Sequence, residues 1–133
     1  MQNEEIKNNE SVDTTPSEVV VKEEVKYITI DDVKKLDVRV GKIVSVEIVE
    51  GADKLYKFMV DVGEETPRQI LSAIREYFPE GESLVGRSLL FVVNLEPRKL
   101  RGFESQGMLL AVGDDRPIFL VPDEEVLPGS KMR

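Results

Sequence analysis

The chain has 133 residues, of which 26 are Asp or Glu and 18 are Lys or Arg, so its net charge is −8 at neutral pH. It contains no cysteine and no histidine, which excludes disulfides, thiol chemistry, Ser-His triads and nearly every protein zinc site. No apolar run reaches the roughly 18 residues of a membrane span, and the polar N-terminus resembles no targeting signal. We therefore expect a cytoplasmic protein that is not an enzyme, needs no cofactor or metal and has no membrane partner.

The negative charge is concentrated at the start of the chain. Residues 1–25 hold seven acidic and two basic side chains, which leaves 19 acidic and 16 basic side chains for residues 26–133. The first segment has no aromatic residue and too little apolar surface to offset its ordering entropy. The sequence predicts a disordered acidic tail or linker over 1–25 and one folded domain over 26–133.

The domain begins with signals for a short helix followed by a long strand. Thr29 or Asp31 can cap a helix over 32–36. Alternation then predicts a strand whose buried face carries five apolar residues: Val38, Val40, Val44, Val46 and Ile48. Gly41, followed by a lysine on this apolar face, indicates a bulge or a sharp bend.

Short strands and turns follow along the rest of the chain. After a turn at 50–53, Tyr56, Phe58, Val60 and Val62 alternate with polar residues as a second strand. Further strands are predicted over 69–73, 89–95, 108–112 and 118–121, with one helical turn over 74–78. Long amphipathic helices between the strands, which a parallel α/β fold would need, are missing. The pattern predicts an all-β fold, a small closed or nearly closed barrel of five or more strands.

The densest group of cations follows the strand that ends near Asn94. Arg98, Lys99 and Arg101 lie on one short connection, where they could contact phosphates. Asn94 offers a donor and an acceptor to a base edge, Ser105 a hydroxyl, and Met108 a soft apolar surface. Each residue taken alone also fits an ordinary basic loop beside a core methionine.

Lys54 and Lys57 form a second cationic position beside the turn between the first two strands, and Arg68 lies at the start of the third. In a five-stranded Greek-key barrel, the loops joining strands 1–2 and 4–5 flank an oligonucleotide-binding face. Lys54 and the 98–101 cations are therefore predicted to converge. Few aromatic residues are available for stacking, with Tyr77, Phe78 and Phe103 as the exposed candidates, which disfavours a nonspecific single-strand DNA binder and favours a shaped RNA.

Five motifs occur in a familiar order: 37–43 (DVRVGKI), 52–55 (ADKL), 94–99 (NLEPRK), 105–108 (SQGM) and 128–129 (PG). Together they resemble the tRNA-binding domain found at the C-terminus of bacterial methionyl-tRNA synthetases, as a free-standing synthetase β-subunit, and in endothelial-monocyte-activating-polypeptide relatives. The resemblance covers residues 27–133. The chain departs from the pattern at Ala73, where relatives often have glycine.

The resemblance implies a five-stranded OB-fold barrel with a C-terminal extension that forms a homodimer interface. It implies structure-directed tRNA binding without catalysis, by an accessory subunit or appendage of a methionyl-tRNA synthetase catalytic subunit. The residues it implies as RNA-facing are Lys54, Asn94, Arg98, Lys99, Ser105 and Met108, with Arg68 and Arg101 in support. The alternative is a free-standing dimeric chaperone of the same fold, associated with protein export, that binds unfolded peptides.

Overall fold

The first element is a short helix whose N-terminal end is capped by two hydrogen bonds between side chains and backbone amides. In the computed structural model, which describes residues 24–133, helix α1 spans Ile30–Lys34. Thr29 is its N-cap: the Thr29 hydroxyl accepts a hydrogen bond from the Asp32 amide, and the Asp32 carboxylate accepts one from the Thr29 amide, both at 3.1 Å. This reciprocal pair satisfies two otherwise unbonded amides. Thr29 is one of the two predicted caps, and the helix lies two residues earlier than the predicted range 32–36. The predicted disordered tail lies outside the described residues, except for its last two.

The main sheet is antiparallel and has five strands. Their bounds are β1 Val38–Val49, β2 Ala52–Asp61, β3 Arg68–Ser72, β4 Ser88–Val92 and β7 Met108–Leu109, in the spatial order β3-β2-β1-β4-β7. The two edge strands, β3 and β7, come close together, although no ladder of hydrogen bonds joins them within the described residues. The predicted all-β fold and its five-stranded sheet are confirmed.

Smaller elements complete the described chain. A hairpin pairs β5 (Arg98–Leu100) with β6 (Phe103–Ser105), and a second one pairs β8 (Ala111–Val112) with β9 (Ile118–Phe119). Two 3-10 turns lie between β3 and β4, at Arg75–Tyr77 and Gly81–Leu84. The first confirms the predicted helical turn over 74–78. In this part of the chain, no helix is long and apolar enough to cross a membrane.

The core fills the inside of the curved sheet. The four residues predicted to alternate inward on the second strand are all buried: Tyr56, Phe58, Val60 and Val62. They pack with Ile43, Ile70, Leu89 and Phe91 in one cluster. Gly41 of β1 allows this packing, because a Cβ atom there would lie 2.5 Å from Val60 Cγ1 and 2.7 Å from Phe91 Cδ1.

The face predicted for β1 is wrong at two of its five positions, Val44 and Ile48, which are 49% and 60% exposed. The register explains the exposure of Val44, since Ile43 pairs with Val60 and Ser45 with Met59, which leaves Val44 as an extra residue in a bulge. Val46 pairs with Phe58 after the bulge and packs against the core as predicted, and Ile48 lies next to a second register shift, before Val49. The bulge was expected near Gly41, but it lies three residues later.

The predicted strand over 89–95 is too long. β4 ends at Val92, and Leu95 is 43% exposed. The chain leaves the sheet because Asn94 forms side-chain hydrogen bonds to the segment that follows α1: Asn94 Oδ1 accepts from the Asp37 amide at 2.9 Å, and Asn94 Nδ2 donates to the Lys35 carbonyl at 2.7 Å. These bonds fix the point from which the cationic segment starts.

Candidate nucleic-acid interface

The cationic segment is a β-hairpin and not an open loop. Its turn consists of Arg101 and Gly102, both in the left-handed region with φ of 52° and 86°. Two consecutive positive φ values are typical of the tight turns that match the twist of a two-stranded ribbon. The hairpin presents Arg98, Lys99 and Arg101 on an exposed projection. Among residues 24–133, no carboxylate oxygen lies within ion-pair distance of these three cations.

Lys54 and Arg101 meet at one depression of the surface. Together with the turn residues Gly51 and Asp53 they line a cavity of about 390 Å³. Lys54 is at the start of β2, and its ammonium lies 3.9 Å from a Glu76 carboxylate oxygen, with both side chains largely exposed. An ion pair of this kind in water contributes little and can be exchanged for another anion. Two cationic positions 47 residues apart in the sequence therefore share one surface, as predicted.

A larger cavity of about 500 Å³ lies beside the hairpin. Its apolar lining comes from Leu71, Leu95 and Met108, and Arg98 and Glu96 stand among its polar residues. Met108 is 47% exposed, so it is not a core methionine. The apolar wall of this cavity, with an arginine next to it, can accept an unstacked base or an apolar side chain. The cavity thus brings together three residues that the sequence singled out: Arg98, Ser105 and Met108.

Ser105 is positioned differently from the prediction. Its side chain is buried, and its hydroxyl accepts a hydrogen bond from the Leu71 amide at 3.0 Å and donates one to the Gly107 carbonyl at 3.2 Å. The hydroxyl therefore attaches the hairpin to β3. Asn94 likewise has a partner within the chain for each polar atom of its amide. Ser105 supports the surface from behind, whereas Asn94 stays exposed. The predicted contacts of these two residues with RNA stay predictions.

Arg68 also has partners within the fold. Its guanidinium donates to both carboxylate oxygens of Glu64, at 2.9 and 2.8 Å, and to the carbonyls of Val93 and Gln106. The hydrogen bond from Arg68 is the main reason that the pKa of Glu64 is lowered. Further bonds between Gln69 and Gln106 bridge the gap between the sheet edges. Arg68 thus links β3 to the segments that follow β4 and β6, next to the hairpin.

Lys57 and Phe103 hold the tip of the hairpin against the barrel. The Lys57 ammonium lies 4.4 Å from the centroid of the Phe103 ring and 3.1 Å from a Glu47 carboxylate oxygen. Leu100, on the same face of the hairpin, packs with Val49 and Leu71. From the sequence, Lys57 was only a cation beside Lys54. Its contact with Phe103 could not be predicted, because it joins residues 46 positions apart.

The aromatic residues proposed as stackers differ in exposure. Tyr77 and Phe103 are 41% and 37% exposed. Phe78 is different, because it packs on the core and stacks on Phe119 with 4.8 Å between ring centroids. Its prediction as an exposed stacking residue is wrong. In residues 24–133, no group of three or more acidic side chains is arranged to hold a metal ion.

Known proteins resemble this chain in both sequence and structure. Residues 38–131 match the family described as "Putative tRNA binding domain". Methionine–tRNA ligases of Thermococcus kodakarensis and Methanosarcina mazei are 46% and 44% identical over 109 and 121 residues, which is 81% and 90% of this chain. The chain spans only 14% and 17% of the length of those two enzymes.

Two solved structures share the fold. A protein of Pyrococcus horikoshii described as related to methionyl-tRNA synthetase superposes with a TM-score of 0.73 at 33% identity, covering 82% of this chain and all of that one. The chaperone CsaA of Bacillus anthracis superposes with a TM-score of 0.72 at 25% identity, covering 81% and 100%. With the family match over most of its folded part, this chain belongs to the family of tRNA-binding domains that includes segments of methionine–tRNA ligases.

Proposed function

We propose that this chain binds tRNA without catalysing a reaction, as an appendage or accessory subunit of a methionyl-tRNA synthetase. The observation that carries the proposal is the shared surface of Lys54 and Arg101, continued along the hairpin by Arg98 and Lys99. These cations provide contacts to phosphates, which depend on the shape of the RNA more than on its sequence. A role as part or partner of a synthetase would place the chain in the cytoplasm.

A salt titration tests this function. With about three to five phosphate contacts, the logarithm of the tRNA association constant should fall with the logarithm of salt concentration at a slope between about −2 and −5. The variant Arg98→Ala/Lys99→Ala should reduce the slope by about 1 to 2. The matched control is Lys42→Ala/Arg116→Ala, which removes two exposed cations from β1 and from the β8–β9 turn. Binding that is independent of salt, or that both variants weaken equally, would contradict the assignment.

Peptide binding is the second candidate function. The cavity with Leu71, Leu95 and Met108 on its walls could take an apolar side chain of an extended peptide, and the chaperone CsaA shares the fold. The same hairpin variant separates the two functions. If Arg98→Ala/Lys99→Ala loses tRNA but still binds an unfolded client protein, then both functions exist on separate parts of the surface. If the wild type binds the client and not tRNA, the peptide function replaces the first proposal.

We also propose that two copies of the chain pair through apolar residues near the start of β1. Tyr27, Ile28, Ile30 and Leu127 are between 69% and 88% exposed. The C-terminal segment lies beside the start of β1, the strand that follows α1, because the Gly129 amide donates to the Val40 carbonyl at 2.7 Å and the Met132 amide to the Val38 carbonyl at 2.8 Å. Exposed apolar residues of this number on one region are typical of an interface. Light scattering should give a dimer for the wild type and a monomer for Leu127→Glu.

A further inference from the structure

We propose that the RNA-binding surface continues past the β5–β6 hairpin onto a lysine patch, formed by Lys34, Lys35 and Lys131, that contacts backbone phosphates. This inference rests on the proposed tRNA-binding function and extends its footprint to a region that the sequence motifs did not indicate. The three lysines come from the two ends of the described chain and line one cavity of about 280 Å³ at the start of β1.

The backbone fixes the two segments that carry the patch. Lys34 and Lys35 end α1. The Lys131 segment pairs with β1 in an antiparallel bridge opposite Arg39, and the hydrogen bond from the Met132 amide to the Val38 carbonyl continues this pairing. Because these contacts are made by backbone atoms, the lysine side chains are not needed to hold the segments in place. The ammonium groups are therefore available to a ligand.

The carboxylates next to the patch leave it positively charged. Asp37 lines the same cavity, but its two carboxylate oxygens accept hydrogen bonds from Arg39 Nε and Arg39 Nη2, each at 3.0 Å. That contact is the main cause of the lowered pKa of Asp37, to which the charge of Lys131 also contributes. Lys35 has an exposed partner, Asp32, at 3.2 Å. Within residues 24–133, no carboxylate oxygen lies within 4.0 Å of the Lys34 or Lys131 ammonium.

Asn94 connects the patch to the hairpin. Its amide holds the backbone of Lys35 and Asp37, on either side of the link between α1 and β1. Arg98 lies four residues after Asn94, so the Cα atoms of these two residues are at most about 14 Å apart. Leu95, the residue after Asn94, lines both the 500 Å³ cavity and a neighbouring cavity of about 340 Å³. Asn94 is thus a positioning residue that ties the link between α1 and β1, which borders the lysine patch, to the segment that leads into the hairpin.

The chemistry of the patch suits the backbone of a nucleic acid. A lysine ammonium is a compact charge with three rotatable donors, which matches a phosphate oxygen in any orientation and does not read a base. Three such groups around one small cavity, beside a surface already assigned to phosphates, can extend the contact of one RNA molecule. The expected gain is affinity that depends on salt and not on sequence.

The test compares two double variants with equal loss of charge. Lys34→Ala/Lys131→Ala removes two cations from the patch, and Lys42→Ala/Arg116→Ala removes two exposed cations outside it. Association with tRNA is measured across a range of salt concentrations. We expect the patch variant to reduce the slope by about 1 to 2 and to weaken binding about tenfold or more near 0.1 M salt, with less than about a twofold change in the control.

Three outcomes are distinguishable. If the patch variant keeps the slope and affinity of the control while the wild type binds tRNA, the lysine patch is overturned and the proposed function stands. If the wild type does not bind tRNA, the proposed function itself fails. Light scattering on the patch variant is the further control, because the patch borders the surface proposed to pair two copies. A weaker variant that has also changed its oligomeric state overturns a direct phosphate contact.

Discussion

The ammonium of Lys57 lies 4.4 Å from the centre of the Phe103 ring, and only 19% of the lysine side chain is exposed. One side chain of the barrel thus holds the tip of the cationic hairpin through a cation–π contact, while Glu47 balances its charge at 3.1 Å. The hairpin has a second attachment at Ser105, whose hydroxyl bonds to β3. The orientation of the hairpin cations therefore depends on contacts that Lys57 and Ser105 make within the fold.

Replacing Lys57 with methionine should loosen the hairpin without removing a phosphate contact. Methionine keeps the length and the apolar stem but loses the charge, so the free energy of unfolding should fall by about 0.5–2 kcal/mol. The affinity for tRNA should fall as well, with an unchanged slope against salt, because the number of phosphate contacts stays the same. Chemical denaturation and a salt titration measure the two effects. Lys42→Met is the control for the lost charge, and a reduced slope for Lys57→Met would show that the lysine binds phosphate directly.

Replacing Ser105 with alanine should destabilise the domain. The change leaves the buried Leu71 amide without its partner, and an unsatisfied buried donor costs about 1–3 kcal/mol. Urea denaturation followed by circular dichroism measures this loss. Ser83→Ala is the matched control, since the Ser83 hydroxyl donates to the Glu80 carbonyl at an exposed position. If Ser105→Ala lowers the free energy of unfolding no more than the control does but weakens tRNA binding, then Ser105 contacts the RNA directly.

Replacing Gly41 with alanine should be costly for steric reasons. The new methyl group would lie 2.5 Å from Val60 and 2.7 Å from Phe91, both of them in the core. Overpacking of this kind costs about 1–3 kcal/mol and shifts the strand. Gly51→Ala provides the contrast, because a Cβ there meets nothing within 4 Å and only the left-handed backbone, at φ of 80°, is unfavourable. Thermal unfolding of the two variants compares them, and a larger loss for Gly51→Ala would contradict the close packing at Gly41.

The stability of the domain should decrease in acid because of Asp37 and Glu64. Arginine hydrogen bonds, from Arg39 and Arg68 respectively, lower the pKa of both carboxyls in the folded state. A lowered folded pKa means that the stabilisation is fully present above the unfolded pKa and is lost as the pH falls through the folded value. We therefore expect unfolding free energy to drop below about pH 4. Denaturation between neutral and acidic pH measures this dependence.

The comparison for the acid effect is the variant Asp37→Asn/Glu64→Gln. It lacks both titrating groups, so its stability should be lower at neutral pH and should depend less on pH below about pH 4. An acid dependence as steep as that of the wild type would assign the effect to other carboxylates. The β5–β6 hairpin carries neither Asp37 nor Glu64, which keeps this test independent of the functional one.

Local patterns in the sequence predicted the parts of the fold that depend on neighbouring residues. Thr29 and Asp32 stand three positions apart, so their capping bonds follow from the sequence. The alternation from Tyr56 to Val62 gave the buried face of β2 correctly. The cations at Lys54 and Arg101 could be brought together only with the additional assumption of a five-stranded barrel, and the structure confirms their shared surface.

The wrong predictions of buried positions in β1 have a different origin. Val44 is exposed because it forms a bulge, and Ile48 is exposed next to a second register shift. A single extra residue leaves almost no mark on the pattern of apolar residues. The bulge exists because β1 pairs with β2 over one part of its length and with β4 over another. Two partners impose a geometry that no window of β1 alone contains.

By itself the sequence determined the all-β fold class, most of the strands of the main sheet, the family and the positions of the cations, because these depend on side-chain chemistry and on spacing along the chain. Only the tertiary structure decided which polar groups face a ligand and which already have partners. Ser105, Asn94 and Arg68 bond to groups 34, 57 and 38 positions away, so their partners exist only after folding. Side-chain donors and acceptors that form hydrogen bonds within the fold are no longer free to bind RNA.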